Sequence, residues 1–103
     1  MEFKDCFNEL KKDFVNKDVS NVPNVVFEFN IKDVGVFYAK VQDGKLDIQP
    51  YNYYDNDVSL TAKFETYKKI INGDLDAIKA FFTGKLKVSG DLGKATILQN
   101  ILE

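Results

Sequence analysis

The sequence predicts an α+β fold in which a five-stranded, mainly antiparallel sheet is covered on one face by helices. Helical spacing of apolar residues opens and closes the chain, and five short runs between them alternate apolar with polar residues. Gly73, Gly84 and Gly90 stand where elements should end, because glycine tolerates the left-handed backbone found there. A chain of 103 residues that is 45% apolar predicts one domain over residues 1–103.

The first predicted helix covers residues 2–17. Its polar side mixes acids and lysines, which indicates a helix packed on a sheet rather than on a lipid surface, where the polar face is basic. Cys6 lies on the apolar stripe and is predicted to be a small buried hydrophobe, since one cysteine cannot form a disulfide within the chain. The stripe consists of Phe3, Cys6, Phe7, Leu10 and Phe14.

Three strands are predicted next, over residues 25–32, 36–42 and 45–49. The first has Val25, Phe27, Phe29 and Ile31 on one side and polar residues on most of the other. The second has apolar residues on both sides, which indicates that both of its faces are covered. Asp43-Gly44 is a strong signal for a tight turn, so the three strands are predicted to form an antiparallel meander.

Residues 50–57 combine three tyrosines with asparagines and aspartates. Asp55-Asn56-Asp57 begins like a calcium-binding loop, but the sixth position has no glycine and the twelfth has no acid. A solvated loop with partly buried tyrosines is therefore the prediction.

The second half is predicted as strand 58–64, helix 64–71, helix 74–82, strand 85–89 and helix 91–102. In helix 74–82 the predicted apolar stripe is Leu75, Ile78, Phe81 and Phe82. Asp74 or Asp76 is predicted to cap that helix, and Asp91 is predicted to cap the last one. Strand 85–89 directs Leu86 and Val88 inward and Lys85 and Lys87 outward.

The residue types argue against catalysis. The chain has no histidine, no cysteine–histidine metal pattern, no phosphate-binding glycine loop and no nucleophile elbow. We therefore expect a protein that is not an enzyme, with no cofactor and no metal. A net charge of −2 with interspersed signs argues against a nucleic-acid partner. The charged start and the lack of a long apolar run predict no signal peptide or membrane span, and so a cytoplasmic protein.

The region from Asn72 to Leu102 resembles the C-terminal half of the sterol carrier protein type 2 family. The resemblance rests on a Gly-x-Leu-Asp-x-x-x-Ala-Phe run, then Gly-Lys-Leu-Lys, then Gly-Asp and a closing helix. Those positions are Gly73, Leu75, Asp76, Ala80, Phe81, Gly84, Lys85, Leu86, Lys87, Gly90 and Asp91. The first half of the chain resembles the family only in its order of elements.

The resemblance implies a protein that binds or carries fatty acid, acyl-CoA or sterol-like lipid. The lipid would lie in an apolar tunnel between sheet and helices, with the last helix serving partly as a lid. Phe82 stands where the family often has methionine, so ligand identity transfers less well than the fold. The chain lacks the peroxisomal Ser-Lys-Leu ending of some members. The expected tunnel wall is Phe27, Phe29, Leu60, Phe64, Phe81, Phe82, Leu86, Val88, Ile97, Leu98 and Ile101.

Two alternatives remain open from the sequence. Every expected wall residue is also suited to ordinary core packing, so the same fold could be a structural or protein-interaction domain with a closed interior and an unknown protein partner. Lys85 and Lys87 form either a solvated strand face or a transient contact with anionic membrane. Periodicity places residues inside a fold, but it does not tell whether the inside is full.

Overall fold

A computed structural model describes residues 2–102. Within this range the chain forms four helices and five strands. In chain order they are α1 (Phe3–Phe14), β1 (Val25–Ile31), β2 (Gly35–Gln42), β3 (Lys45–Gln49), β4 (Val58–Ala62), α2 (Phe64–Ile71), α3 (Ala77–Phe82), β5 (Lys87–Gly90) and α4 (Leu92–Leu102).

The five strands form one sheet in the order β3-β2-β1-β4-β5. The β1–β2, β2–β3 and β4–β5 pairs are antiparallel, whereas β1 and β4 are parallel. The predicted α+β class with a mainly antiparallel sheet is confirmed, and so is the meander of the first three strands. After the meander, β4 lies beside β1 rather than beside β3.

The buried face of the sheet packs against the helices through aromatic side chains. Phe29 on β1 stacks on Phe37 of β2 with 4.8 Å between ring centroids. Phe14 of α1 and Tyr67 of α2 meet Phe29 edge-on at 6.0 and 5.5 Å. The Tyr67 hydroxyl donates a 2.9 Å hydrogen bond to the Asn30 carbonyl oxygen, which satisfies the one polar atom of this ring.

The opposite face of the sheet is polar and is partly covered by the loop at residues 50–57. Ser59 Oγ donates to Glu28 Oε1 at 3.0 Å, and Asn56 Nδ2 donates to Glu28 Oε2 at 3.3 Å. Tyr38 lies against the rings of Tyr51 and Tyr53, with centroids 5.7 and 5.0 Å away. Burial, the hydrogen bond to Asp47 and the charge of that carboxylate raise the pKa of Tyr38 to about 12. The prediction that both faces of β2 are covered is therefore confirmed.

Several predicted boundaries shift by one to three residues. α1 ends at Phe14 rather than at residue 17, and β4 ends at Ala62, so Phe64 opens α2 instead of closing the strand. α3 begins at Ala77 rather than at residue 74. Asp76 explains that start, because its side chain accepts hydrogen bonds from the backbone N–H groups of Ile78 and Lys79. β5 begins at Lys87, two residues later than predicted.

Asp57 lies at one corner of the sheet, directly before β4, and contacts residues of β1, β5 and α4. Its carboxylate accepts a 2.8 Å hydrogen bond from the Val26 N–H and pairs with Lys94 Nζ at 3.0 Å. Its carbonyl oxygen accepts from the Asp91 N–H at 2.9 Å. Gly90 lies directly against that carbonyl: its φ is +96°, and an added Cβ would lie 2.6 Å from the Asp57 oxygen. A residue with a side chain does not fit at this turn.

Candidate functional site

An apolar pocket of about 230 Å³ lies between the sheet and the two C-terminal helices. Its floor comes from β4 and the approach to β5, and its sides come from α3 and α4. It opens to the surface, because several of its residues are largely solvent-exposed. The lining residues are Leu60, Ala77, Ile78, Phe81, Phe82, Leu86, Val88, Leu92, Ala95, Thr96, Leu98 and Gln99.

In α3 the small side chains pack inward, and the large apolar side chains line the pocket and its mouth. α3 buries its small residues, with Ala80 fully buried and Ala77 only 7% exposed. Ile78, Phe81 and Phe82 are 47%, 42% and 79% exposed. The predicted apolar stripe therefore includes residues that line the pocket, as expected for Phe81 and Phe82, but their side chains are exposed at its mouth rather than enclosed. Two alanines permit a close approach of the short helix to the core, which turns its large side chains toward the pocket and its mouth.

The α4 wall is apolar apart from two uncharged side chains. Leu98, Ile101 and Leu102 are buried, whereas Leu92 is 58% exposed at the start of the helix and does not reach the core. Gln99 Oε1 accepts a 3.2 Å hydrogen bond from the Ala77 N–H, which ties α4 to the first turn of α3. None of the side chains that line the pocket carries a charge, so it suits the uncharged part of a ligand.

α4 is held to the sheet by the Asp57 corner described above. Burial raises the pKa of Asp57, but the hydrogen bonds from Lys94 and the Val26 N–H outweigh it and hold this pKa below its usual value. The same pair raises the pKa of Lys94. Asp91 also accepts a 3.1 Å hydrogen bond from the Lys94 N–H, as its predicted capping role requires. Two aspartates, Asp57 and Asp91, therefore hold the start of α4 in place.

The interior away from this pocket is filled. Over β1 and β2 the space between the layers holds Phe27, Phe29 and Phe37, each no more than 1% exposed. Phe7 meets Phe37 edge-on with 5.4 Å between centroids. The core is therefore packed by aromatic rings under α1 and α2, whereas a pocket opens between α3 and α4.

The structure divides the expected wall residues into two groups. Leu60, Phe81, Phe82, Leu86, Val88 and Leu98 all lie along the pocket. The remaining five do not line it. Phe27, Phe29 and Ile101 are buried in the core, and Phe64 and Ile97 are partly buried against it.

Six lining residues were not among the expected wall residues. Ala77 and Ile78 come from α3, and Leu92, Ala95, Thr96 and Gln99 come from α4. The α4 set has a signal in the sequence, since positions 92, 95, 96 and 99 follow helical spacing beside Leu98. The polar residue types of Thr96 and Gln99 point to a solvent-facing position, so spacing alone would have to override them.

A second depression, of about 310 Å³, lies on the β2–β3 hairpin. It is lined by Lys40, Gln42, Asp43, Lys45, Leu46 and Asp47. Its charges are matched within the hairpin, and Asp47 already accepts hydrogen bonds from Tyr38 and Gln49. The smaller apolar pocket is the better candidate site, because binding sites are usually apolar concavities with few polar groups.

Over residues 2–102 the structure contains neither a cluster of potential metal ligands nor a helix that could span a membrane. No group of three or more potential ligands among His, Cys, Asp and Glu is placed to hold a metal ion in this range. None of the described helices has the length and hydrophobicity that crossing a bilayer requires.

Comparison with known proteins gives a consistent result. Human sterol carrier protein 2 is 28% identical over 102 residues, which cover 92% of this chain and 19% of that protein. Mouse peroxisomal multifunctional enzyme type 2 is 32% identical over 94 residues, covering 86% of this chain and 13% of the enzyme. The chain thus spans less than a fifth of the length of these curated relatives.

Solved structures support the same assignment. Palmitated SCP2L2 from Aedes aegypti superposes with a TM-score of 0.70 at 24% identity, and the match covers all of this chain and 96% of that one. The crystal structure of SCP2-L2 from the same mosquito gives a TM-score of 0.63 at 27% identity, with 95% and 94% covered. The sequence matches the SCP-2 sterol transfer family over residues 7–103. The chain belongs to the SCP-2 sterol transfer family.

Proposed function

We propose that residues 1–103 act as one non-enzymatic domain that binds the apolar part of a fatty acid, acyl-CoA or sterol-like lipid between α3 and α4. The apolar pocket beside Leu60, Phe81 and Leu98 carries the proposal. An apolar site without charged walls favours a hydrocarbon guest, because each buried methylene contributes about 0.8 kcal/mol without a polar partner. Membership of a family with sterol carriers supports the same function.

The pocket is large enough to enclose one end of a chain-like ligand rather than the whole chain. A methylene group occupies about as much volume as a water molecule, roughly 30 Å³, so 230 Å³ holds about eight methylenes. Their burial would contribute about 6 kcal/mol before the costs of association. A longer chain or a fused ring system needs α3 and α4 to separate, which would extend the pocket into the tunnel that the family resemblance implies.

Binding is tested with cis-parinaric acid, a fatty acid whose fluorescence rises in apolar surroundings, and by thermal unfolding with palmitate. We expect saturable binding, and an increase in Tm of about 10 °C when free ligand exceeds Kd by about a hundredfold. Ala95→Trp places an indole in the pocket and should abolish both effects. Asn100→Trp changes an exposed residue of the same helix outside the pocket and should leave both unchanged.

The second candidate is the structural or interaction domain with a closed interior. The filled region over β1 and β2 favours it, because six of the nine phenylalanines pack there or beside α1. This candidate predicts no fluorescence change and no increase in Tm with palmitate. Equal binding by the wild type and by Ala95→Trp would place the ligand elsewhere and contradict the assignment of the site.

A further inference from the structure

Strand β3 forms one edge of the sheet. It pairs with β2 on one side and has no strand on its other side within residues 2–102. Lys45 and Asp47 are exposed on the outer face of this strand, and Leu46 lies between them, partly buried on the inner face. All three residues also line the depression on the β2–β3 hairpin. The backbone groups on the free side of such a strand are a template for pairing with another chain.

The charges on the outer face of β3 alternate in sign. Proteins that stay monomeric often protect an edge strand with charges, chiefly lysine, which repel a like-charged partner. β3 carries one lysine and one aspartate two residues apart, so an antiparallel copy of the strand can present each charge to its opposite. Opposite charges directly across a strand pair stabilise it, and like charges destabilise it. The outer face of β3 is therefore complementary to itself.

One register of two antiparallel copies combines these features. Inward residues must pair with inward residues, which leaves three central registers, centred on Lys45, Leu46 or Asp47. Centring on either charged residue places it opposite its own copy, so that like charges meet. Centring on Leu46 places Lys45 of each copy opposite Asp47 of the other and brings the two partly buried leucines together. Charge and pleat therefore select the register centred on Leu46.

The Asp47 carboxylate is held in place and has room for a further donor. Its Oδ2 accepts a 3.1 Å hydrogen bond from the Tyr38 hydroxyl, and its Oδ1 accepts a 2.7 Å hydrogen bond from Gln49 Nε2. A carboxylate has about four acceptor sites, so each oxygen can accept once more. Lys40 faces Asp47 across the β2–β3 pair, but its ammonium group donates to the Tyr53 hydroxyl at 3.2 Å. A lysine from a second copy can therefore reach this carboxylate.

The opposite edge of the sheet lacks this complementarity. β5 carries Lys87 and Ser89 on its outer face, and Lys85 precedes it, so the strand itself offers no acid to a second copy. Asp91 follows β5, but it lies beyond Gly90, whose φ is +96°, and its side chain caps α4. Self-association through an edge of the sheet therefore falls to β3.

We propose that two copies of this chain pair through antiparallel β3 strands, with the two-fold axis at Leu46, and join their five-stranded sheets into one. Both copies contribute the same surface, so the assembly closes as a dimer. A contact along one short strand buries little area, and we expect a weak dimer with a Kd of about 10 µM to 1 mM. The apolar pocket borders β4 and β5 at the other end of the sheet, so this inference does not depend on the proposed function.

Sedimentation equilibrium of the full chain, from about 10 µM to 1 mM, tests the pairing. We expect the wild type to dimerise and the dimer to weaken as salt is added. Lys45→Glu and Asp47→Lys each turn two attractive pairs into two repulsive ones, so each should weaken the dimer about twentyfold. An equimolar mixture of the two variants should dimerise like the wild type, because every position of the interface again faces the opposite charge.

Charge reversals outside β3 are the matched controls. Lys12→Glu on α1 and Asp55→Lys in the loop at residues 50–57 alter exposed side chains and change the net charge by the same amounts as the test variants. Each control should dimerise like the wild type. A wild type that stays monomeric over the whole range, or equal losses in test and control variants, would overturn the β3 dimer. A mixture of Lys45→Glu and Asp47→Lys that stays monomeric would also overturn it.

Cross-linking measures the register without changing the two charges of the interface. Leu46→Cys places two thiols opposite each other at the two-fold axis, and oxidised glutathione should oxidise them to a disulfide while it is reduced to two thiols. Lys45→Cys places the two thiols on a diagonal, farther apart than a disulfide spans, and should cross-link more slowly. Cys6 is buried in both variants and should not react. Faster cross-linking by Lys45→Cys than by Leu46→Cys would contradict the register and overturn the proposal.

Discussion

At the scale of single residues, Asp57 connects the apolar pocket to the stability of the fold. Its carboxylate holds the start of β1 through Val26 and the start of α4 through Lys94. From its composition, the loop at residues 50–57 was predicted to be solvated. That composition does not indicate that Asp57, its last residue, holds β1 and α4 together. Asp57 differs from its neighbours only through contacts with residues distant in the chain, which no local pattern encodes.

Asp57 should make stability depend on acid pH. Because its pKa is lower in the folded state, the ionised carboxylate stabilises the fold above the usual aspartate value near pH 4 and loses that contribution as the pH falls through the folded pKa. We expect Asp57→Asn to cost about 1 kcal/mol at neutral pH, and we expect this difference from the wild type to shrink as the pH falls below the usual aspartate value. Urea unfolding across this range measures the difference.

Asp55→Asn is the matched control, since Asp55 is exposed in the same loop. It should unfold like the wild type at every pH. A constant difference between Asp57→Asn and the wild type down to about pH 3 would show that the ionised carboxylate is not the stabilising species.

At the scale of elements, the order and type of every helix and strand followed from the sequence, but the exposure of the large side chains of α3 did not. Spacing placed Ile78, Phe81 and Phe82 on one stripe, and a stripe of large apolar residues normally faces the core. In the structure the alanines face inward instead. A helix of six residues has too few positions for periodicity to choose between two faces, so the space left by neighbouring elements decides.

Two substitutions in α3 test this orientation. Phe82→Ala should change the free energy of unfolding by less than about 0.5 kcal/mol, because the side chain is mostly exposed. Ala80→Leu should cost about 1–3 kcal/mol by forcing a larger group into a filled space. Chemical denaturation of both variants is the measurement. A loss of about 3–5 kcal/mol for Phe82→Ala would instead show that its ring is enclosed.

The closing helix is proposed to be both a wall and a lid. Ending the chain after Gly90 removes three buried apolar side chains, worth roughly 1.5–3 kcal/mol each, so most of the stability and all lipid binding should be lost. Leu92→Ala removes a half-exposed pocket residue and should weaken cis-parinaric acid binding by about tenfold without lowering Tm. Tight binding by the shortened chain would contradict the lid.

At the scale of the whole molecule, the sequence predicted the layers but not the distribution of empty space. Alternation identified the inward side chains of β1 and β4 correctly, including Phe29 and Leu60. Whether such residues meet a neighbour or a cavity depends on how far α3 and α4 lie from the sheet. That distance is set by Ala77, Ala80 and the contacts at both ends of α4, which involve residues from separate parts of the chain.

The space between α3 and α4 is proposed to hold lipid. Native mass spectrometry of the freshly purified protein, compared with its denatured mass, tests it most directly. We expect extra mass that disappears on denaturation, that extraction identifies as a lipid, and that Ala95→Trp does not carry. A wild type whose mass stays that of the bare chain after incubation with fatty acids, acyl-CoA and sterols would contradict the claim and favour the closed interaction domain.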